Sequence, residues 1–213
     1  MIWAKVSERM IVSLTALRRM MPPPIGPDVA VDWGRMSRAW GKQFPADYRQ
    51  FMDVYGPGTI AEFLVVKQPE PREVLSGAAA GGMVCETANA EAAWTEFRKE
   101  PTLAEVNPML IAWAVSASAD ILCWDSSGDD PDGWPVLVWN RDDTAWRRYD
   151  CGMVEFLRRV LEAEFEECPL SGTNVWGIAT AKYLTFGEET RLRKAGFDPW
   201  TGEPDPYAGM FPM

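Results

Sequence analysis

Four short apolar runs follow one another between residues 109 and 150, and they constrain the fold more than any other stretch of the chain. The runs are MLIAWAVS, DILCWD, WPVLVWN and AWRRYD. Each is short, rich in β-branched or aromatic residues, and separated from the next by polar turn residues, which is typical of consecutive strands. Strands joined by short turns pair in an antiparallel sheet, and such a sheet needs other elements to cover its apolar surface.

Helical patterns lie on both sides of these strands. The clearest helix follows Pro45 and ends at Gly56, with apolar positions at i, i+3, i+4 and i+7. Its apolar face consists of Tyr48, Phe51, Met52 and Tyr55. The other predicted elements are helices over 28–41, over 91–100 and from an N-cap at Asp150 onward, and a strand over 59–66. The order predicts an α+β fold with a twisted, mainly antiparallel sheet packed by helices.

The chain divides into three parts on composition. Residues 1–22 carry one apolar helical face and end at Pro22-Pro23-Pro24, which predicts an N-terminal extension that is dispensable for folding. Residues 28–167 hold the helices and strands and form the predicted domain. Residues 168–213 form a C-terminal extension with a short charged helix and a proline-rich tail.

Charge and histidine content exclude several functions. The chain has 21 Lys+Arg and 31 Asp+Glu, a net charge of −10 at pH 7, so nucleic acid is repelled and a basic protein partner is attracted. It has no His, which excludes Ser-His-Asp triads, Cys-His pairs and HExxH zinc helices. No apolar run approaches the ~18 residues of a membrane-spanning helix. We therefore expect a soluble protein without a membrane partner.

The four cysteines predict neither a disulfide framework nor a metal site. They are Cys85, Cys123, Cys151 and Cys168. They are widely spaced and form no C-x-x-C motif, whereas a zinc site requires paired spacing and a disulfide scaffold requires a short, cysteine-dense chain. Cys123 lies in an apolar run and Cys151 opens a predicted helix, so we interpret these two as reduced packing residues. The predictions are no cofactor, no metal and a cytoplasmic location.

The most acidic short stretch runs from Asp125 to Gly133 and includes Asp129, Asp130 and Asp132. Asp and Gly suit a solvated turn between strands, so a purely structural role is one interpretation. A calcium loop is a second, but the Gly and Glu of an EF-hand are absent from the sixth and twelfth places. The third is an acidic surface that meets a basic partner. On that interpretation the partner-binding residues are Asp125, Asp129, Asp130, Asp132 and Trp134.

The chain contains 11 Trp, an unusual number for its length. Four of them lie on apolar faces and are predicted to be in the core: Trp33, Trp40, Trp94 and Trp113. Three others, Trp134, Trp139 and Trp146, lie on neighbouring predicted strands. They would form a binding surface if one sheet face were exposed, since Trp is enriched at the centres of interfaces. Burial of at least two of the three is the stronger expectation.

The order of motifs resembles the SUKH superfamily, which contains a fungal cell-wall-synthesis regulator and many bacterial immunity proteins. The opening of the similarity is Trp33 and Trp40 on one helix, then Phe-Pro-Ala-Asp-Tyr at 44–48 and Tyr-Gly-Pro-Gly at 55–58. Its second half is Trp-Asp at 124–125, an acidic turn, Trp-Pro-Val at 134–136 and Phe-Leu at 156–157. The similarity covers residues 30–166 and departs at Phe44, where the family more often has Leu.

The resemblance implies an α+β fold without established catalytic residues. It also implies a binding function, and two kinds are open. The first is an immunity protein that neutralises a cognate bacterial toxin domain, basic and of nuclease or deaminase type. The second is a scaffold or regulatory interaction module, as in the fungal members. An enzyme built on Cys or on paired carboxylates is the remaining alternative, and nothing in the sequence nominates a pair.

Overall fold

The sheet predicted from residues 109–150 is the centre of the structure. A computed structural model describes residues 13–24, 30–71, 81–206 and 208. The helices are α1 (helical over 13–20), α2 (Trp33–Trp40), α3 (Ala46–Tyr55), α4 (Met83–Glu96), α5 (Met153–Leu161) and α6 (Phe186–Lys194). The strands are β1 (Gly58–Ile60), β2 (Leu64–Val66), β3 (Arg98–Lys99), β4 (Leu110–Ser116), β5 (Ile121–Asp125), β6 (Val136–Asn140), β7 (Ala145–Tyr149) and β8 (Tyr183–Thr185).

The strands form one open sheet in the order β3-β7-β6-β5-β4-β2-β1-β8. The pairings are antiparallel except that of β3 with β7, which is parallel. All four runs between 109 and 150 form strands, β4 to β7, and each is paired with the next. The predicted α+β fold with a mainly antiparallel sheet is therefore confirmed.

Helices cover both faces of the sheet. On one face α2, α3 and α5 pack over Trp113, Trp124 and Val138, and on the other α4 lays Ala90 and Ala93 against the sheet. Side chains on the central strands alternate between the two cores, so that Leu122 and Trp124 face one and Ile121 and Cys123 the other. Burial on both faces explains why β4 and β5 are apolar up to their last residues, Ser116 and Asp125, without a polar side.

The predicted apolar face of α3 is confirmed. Tyr48, Phe51, Met52 and Tyr55 are each at most 2% exposed. The ring of Tyr48 meets that of Trp124 edge-on, with centroids 4.9 Å apart. Its hydroxyl donates to the carbonyl of Lys67 at 2.6 Å, so this buried aromatic also satisfies its polar end.

The predicted roles of the tryptophans are confirmed in part. Trp40, Trp113, Trp134 and Trp146 are buried, whereas Trp33, Trp94 and Trp139 are partly exposed and pack at the edges of the two cores. Two of the three strand tryptophans are therefore core residues, as expected. The three together do not form an exposed binding surface.

The single strand predicted over 59–66 is wrong, because the chain reverses within it. Ala61 and Glu62 have φ of 49° and 58°, and the N–H of Phe63 donates to the carbonyl of Ile60 at 2.9 Å. These values describe a tight hairpin turn of the kind that ordinarily uses Asn or Gly. Neither residue is present, so the sequence gives no sign of the turn.

The helix predicted over 91–100 begins earlier and ends earlier. It spans the 14 residues of α4, and Arg98 and Lys99 instead form the edge strand β3. The buried positions of α4 include small residues, Ala90 and Ala93, which lie close against the sheet. The first half of the helix buries Met83, Val84, Thr87 and Ala90, and because Thr87 and Ala90 are not large apolar residues, its hydrophobic periodicity is weak.

Both predicted extensions contribute to the same core. Leu17 and Met21 are 0% exposed, and the hydroxyl of Tyr55 donates to the carbonyl of Met21 at 2.7 Å. Strand β8 comes from the C-terminal segment and pairs with β1, with Tyr183 and Leu184 each 4% exposed. The packing gives reason to revise the expectation that residues up to 22 are dispensable, as far as residues 13–21 are concerned. Residues 1–12 lie outside the described residues.

We predict that Leu17→Ala lowers the free energy of unfolding by about 2–5 kcal/mol, the usual cost of emptying a buried leucine site. Thr15→Ala is the matched control, because Thr15 lies on the exposed side of the same helix. An exposed substitution should change stability by at most about 0.5 kcal/mol. Urea denaturation of the full chain measures both. Equal midpoints for the two variants would show that α1 does not stabilise the domain.

Candidate functional site

The acidic stretch 125–133 forms one wall of a surface cleft. The loop leaves β5, passes through a 3₁₀ turn at Pro131–Gly133 and enters β6. Opposite it lie the end of α2, the connection to α3 and the first turns of α3. The cleft has a volume of about 720 Å³. Its lining residues are Gly41, Lys42, Gln43, Phe44, Arg49, Gly128, Asp129, Asp130, Pro131, Asp132 and Trp134.

Three of the predicted site carboxylates lie together at this cleft, and one of them is engaged with the fold. Asp129, Asp130 and Asp132 are exposed. An Oδ1 atom of Asp132 accepts a hydrogen bond from the backbone N–H of Ala46 at 2.6 Å, at the start of α3. Asp130 in turn accepts from the N–H of Asp132 at 3.1 Å. Among the described residues, both oxygens of Asp129 and one oxygen each of Asp130 and Asp132 have no hydrogen-bond partner.

Asp125 and Trp134 shape the loop from beneath. Asp125 is 6% exposed, and its Oδ1 accepts from the N–H groups of Met109 at 3.2 Å and Ser127 at 3.0 Å. Trp134 is 3% exposed, and its Nε1 donates to the carbonyl of Gly128 at 2.8 Å. In this arrangement both side chains are buried and support the loop, and Trp134 also lines the cleft.

Two cationic side chains that the sequence analysis did not select line the same cleft. The Nζ of Lys42 donates to the carbonyl of Ser126 and lies 5.7 Å from the ring centroid of Trp134. Arg49 projects from α3, and its shielded Nε has no hydrogen-bond partner among the described residues. These residues are about 80 positions away from the acidic loop, and no motif in the sequence links the two segments.

Asp47 anchors the wall of the cleft formed by α3. It is buried, and its two oxygens accept from different helices: Oδ1 from the N–H of Tyr48 at 2.7 Å and Oδ2 from the N–H of Val154 at 3.0 Å. The N-cap position of α5 is Gly152, which offers no side-chain acceptor. Asp47 therefore caps α5 from another helix. The predicted cap, Asp150, is wrong, and its carboxylate pairs with Arg148 instead.

Burial and hydrogen bonding act on the Asp47 carboxyl in opposite directions. Burial raises its pKa, while the backbone N–H groups of Val154, Tyr48 and Met153 lower it and the nearby Asp132 raises it further. The net effect is a raised pKa. Removal from water thus outweighs the three donors, and no cationic side chain among the described residues lowers the pKa of this carboxyl.

Three of the four cysteines, the buried Cys123 and the half-buried Cys151 and Cys168, are poor nucleophiles. Burial raises the pKa of Cys123 well above its usual range, raises that of Cys151 to about 12 and raises that of Cys168. At neutral pH these three side chains are thiols rather than thiolates, and the thiolate is the reactive form. No group of three or more His, Cys, Asp or Glu side chains among the described residues is arranged to hold a metal ion.

Comparison with known proteins gives no relative. The chain matches no protein-family model, no characterised protein and no solved structure. Within residues 13–24, 30–71 and 81–206, no helix has both the length and the apolar character needed to cross a membrane.

We predict that Asp47→Asn lowers the free energy of unfolding by about 1–3 kcal/mol, because an amide nitrogen cannot accept one of the two N–H groups. Asp53→Asn is the matched control, since Asp53 lies on the exposed side of α3. The Asp53→Asn substitution should change the free energy of unfolding by at most about 0.5 kcal/mol. Urea denaturation at pH 7 measures both variants. Equal midpoints would show that the bridge between α3 and α5 is not needed.

A second prediction for Asp47 concerns pH. Because its pKa is raised on folding, its contribution to stability is fully present below the unfolded value of about 3.9 and is lost as the pH rises through the folded value. The difference in unfolding free energy between the parent and Asp47→Asn, which cannot titrate there, should therefore shrink with rising pH above about 3.9. Denaturation between about pH 3.5 and 7 measures this difference. A difference that grew with pH would mean that the N–H donors outweigh burial.

Proposed function

We propose that this chain is a non-catalytic binding protein, an immunity protein that neutralises a basic bacterial toxin domain by direct contact. The observation that carries the proposal is the pair of exposed carboxylates, Asp129 and Asp130, on a loop fixed to the body of the fold at the mouth of the cleft. A loop held in place before binding loses little conformational entropy when a partner docks.

The fixation of the loop rests on contacts at both of its ends. Asp125 and Trp134 hold it from below, and Asp132 joins it to the start of α3. Asp129 and Asp130 are thereby kept at the surface at defined positions, and they add to a net charge of −10. A basic partner is accelerated toward such a surface by long-range attraction, and nearby charges then orient it.

The side-chain chemistry supports binding rather than catalysis. With no His in the chain, proton transfer at neutral pH would fall to perturbed carboxylates or thiols. The raised-pKa carboxyl, Asp47, is enclosed between two helices and is fully occupied with N–H donors. The raised-pKa thiols Cys123, Cys151 and Cys168 are protonated, as described above. None of these groups is placed to attack or deprotonate a substrate in the cleft.

We predict that the double variant Asp129→Asn, Asp130→Asn slows association with the cognate toxin domain. The two carboxylates lie at the rim, and rim charges act mainly on the association rate and its salt dependence. Asp132 is left unchanged because it caps α3. Stopped-flow association rates at low and at physiological salt are the measurement. The expected result is a slower rate at low salt and a smaller loss of rate on adding salt.

The matched control is Glu91→Gln, Glu105→Gln, which removes the same charge from exposed positions away from the cleft. The association rate of this control and its salt dependence should lie closer to those of the parent than the values of the Asp129→Asn, Asp130→Asn variant do. Equal effects of the two double variants would show that only total charge matters and that the cleft is not the docking site. Failure to protect cells from the toxin, together with binding of several unrelated partners, would favour the scaffold function instead.

A further inference from the structure

Arg49 differs from the other cation in the cleft in having no acceptor. Lys42 is occupied by the carbonyl of Ser126 and by the ring of Trp134. The guanidinium of Arg49 makes neither a hydrogen bond nor an ion pair with any described residue, and its Nε is shielded from water. The shielded Nε itself is out of reach of a ligand, but Arg49 lines the cleft, so the rest of its guanidinium is open to an anionic group that enters there.

The chemistry of Arg49 defines what it would bind. A guanidinium is planar and always charged, and its parallel N–H groups match the two oxygens of a carboxylate or phosphate. The opposite wall limits the choice, because Asp129, Asp130 and Asp132 line the same cleft. A polyphosphate or a nucleic-acid backbone would place several negative charges against these three carboxylates. A single carboxylate accompanied by cations would meet complementary charge on both walls.

We propose that Arg49 pairs with an acidic side chain of the protein partner, which is flanked on that partner by basic side chains facing Asp129 and Asp130. The inference rests on the proposed function and adds that the partner's docking segment carries both signs of charge. A cleft of about 720 Å³ has room for several side chains of such a segment. Asp129 and Asp130 attract basic proteins in general, and Arg49 favours those basic proteins that also carry a suitably placed acidic side chain.

Synthetic peptides test the inference without the toxin. One set consists of fluorescent nine-residue Lys/Gly peptides with a single Glu placed at each position in turn, and the matched set has Gln in place of Glu. Fluorescence anisotropy at low salt gives the dissociation constants. Because the chain carries a net charge of −10, long-range attraction favours the more cationic Gln peptide. A preference for Glu therefore has to come from a local contact.

The parent chain should bind the best Glu peptide about tenfold more tightly than its Gln counterpart, in line with a charge-assisted hydrogen bond. Arg49→Gln should remove this preference, and Arg49→Lys, which keeps the charge but loses the paired N–H groups, should retain part of it. Arg38→Gln is the matched control, since Arg38 is exposed on α2 and does not line the cleft. It should keep the full preference. Thermal melting verifies that each variant is folded.

The outcomes separate this inference from the proposed function. In one outcome the basic peptides bind to the parent chain and bind less well to the Asp129→Asn, Asp130→Asn variant, but they show no preference for Glu. This result would overturn the role of Arg49 and would support the role of Asp129 and Asp130. A Glu preference that survives in both Arg49 variants would assign the carboxylate to another residue. If no peptide of either set binds, the inference about Arg49 is wrong. The proposed function is then tested separately, by the association rates of the parent and the Asp129→Asn, Asp130→Asn variant with the toxin domain.

Discussion

The carboxylate of Asp47 joins the two helices that cover the aromatic face of the sheet. Helix α5 begins at a glycine, so its first N–H groups have no acceptor in their own segment, and Asp47 supplies one from α3. The same contact explains the glycine. A Cβ atom on Gly152 would lie 2.6 Å from the Oδ2 of Asp47, closer than any real packing allows. The relative placement of α3 and α5 therefore depends on one buried charge and one missing side chain.

The N-terminus of α3 is also capped by a carboxylate from another segment of the chain. Helix α3 follows Pro45, which has no side-chain acceptor, and its first N–H group is capped by Asp132 from the acidic loop. The loop caps α3, and α3 caps α5. Because helix N-termini favour negative charge, each contact stabilises the helix as well as fixing its neighbour. The position of the cleft follows from this series, since its walls are the loop and the start of α3.

The sequence predicted most of the elements whose signal is local. The apolar face of α3 and the strands β4 to β7 are confirmed because their repeats are long and regular. The hairpin at Ala61–Glu62 and the first half of α4 lacked any such signal. Strand β8 and α1 were assigned to extensions because nothing in a sequence shows that a distant segment completes a sheet or a core. Their placement is decided by tertiary contacts alone.

The candidate site shows the same division between local and tertiary information. Composition identified the acidic stretch but could not sort its members. In the folded chain Asp125 is buried beneath the loop and Asp132 accepts from the start of α3, whereas Asp129 and Asp130 are exposed and make no hydrogen bond to an element outside the loop among the described residues. Net charge also gives no sign of the opposite wall, where Arg49 lines the cleft and its Nε has no hydrogen-bond partner among the described residues. Long-range attraction depends on total charge, whereas discrimination among basic partners depends on such individual groups, so the two properties are encoded in different parts of the chain.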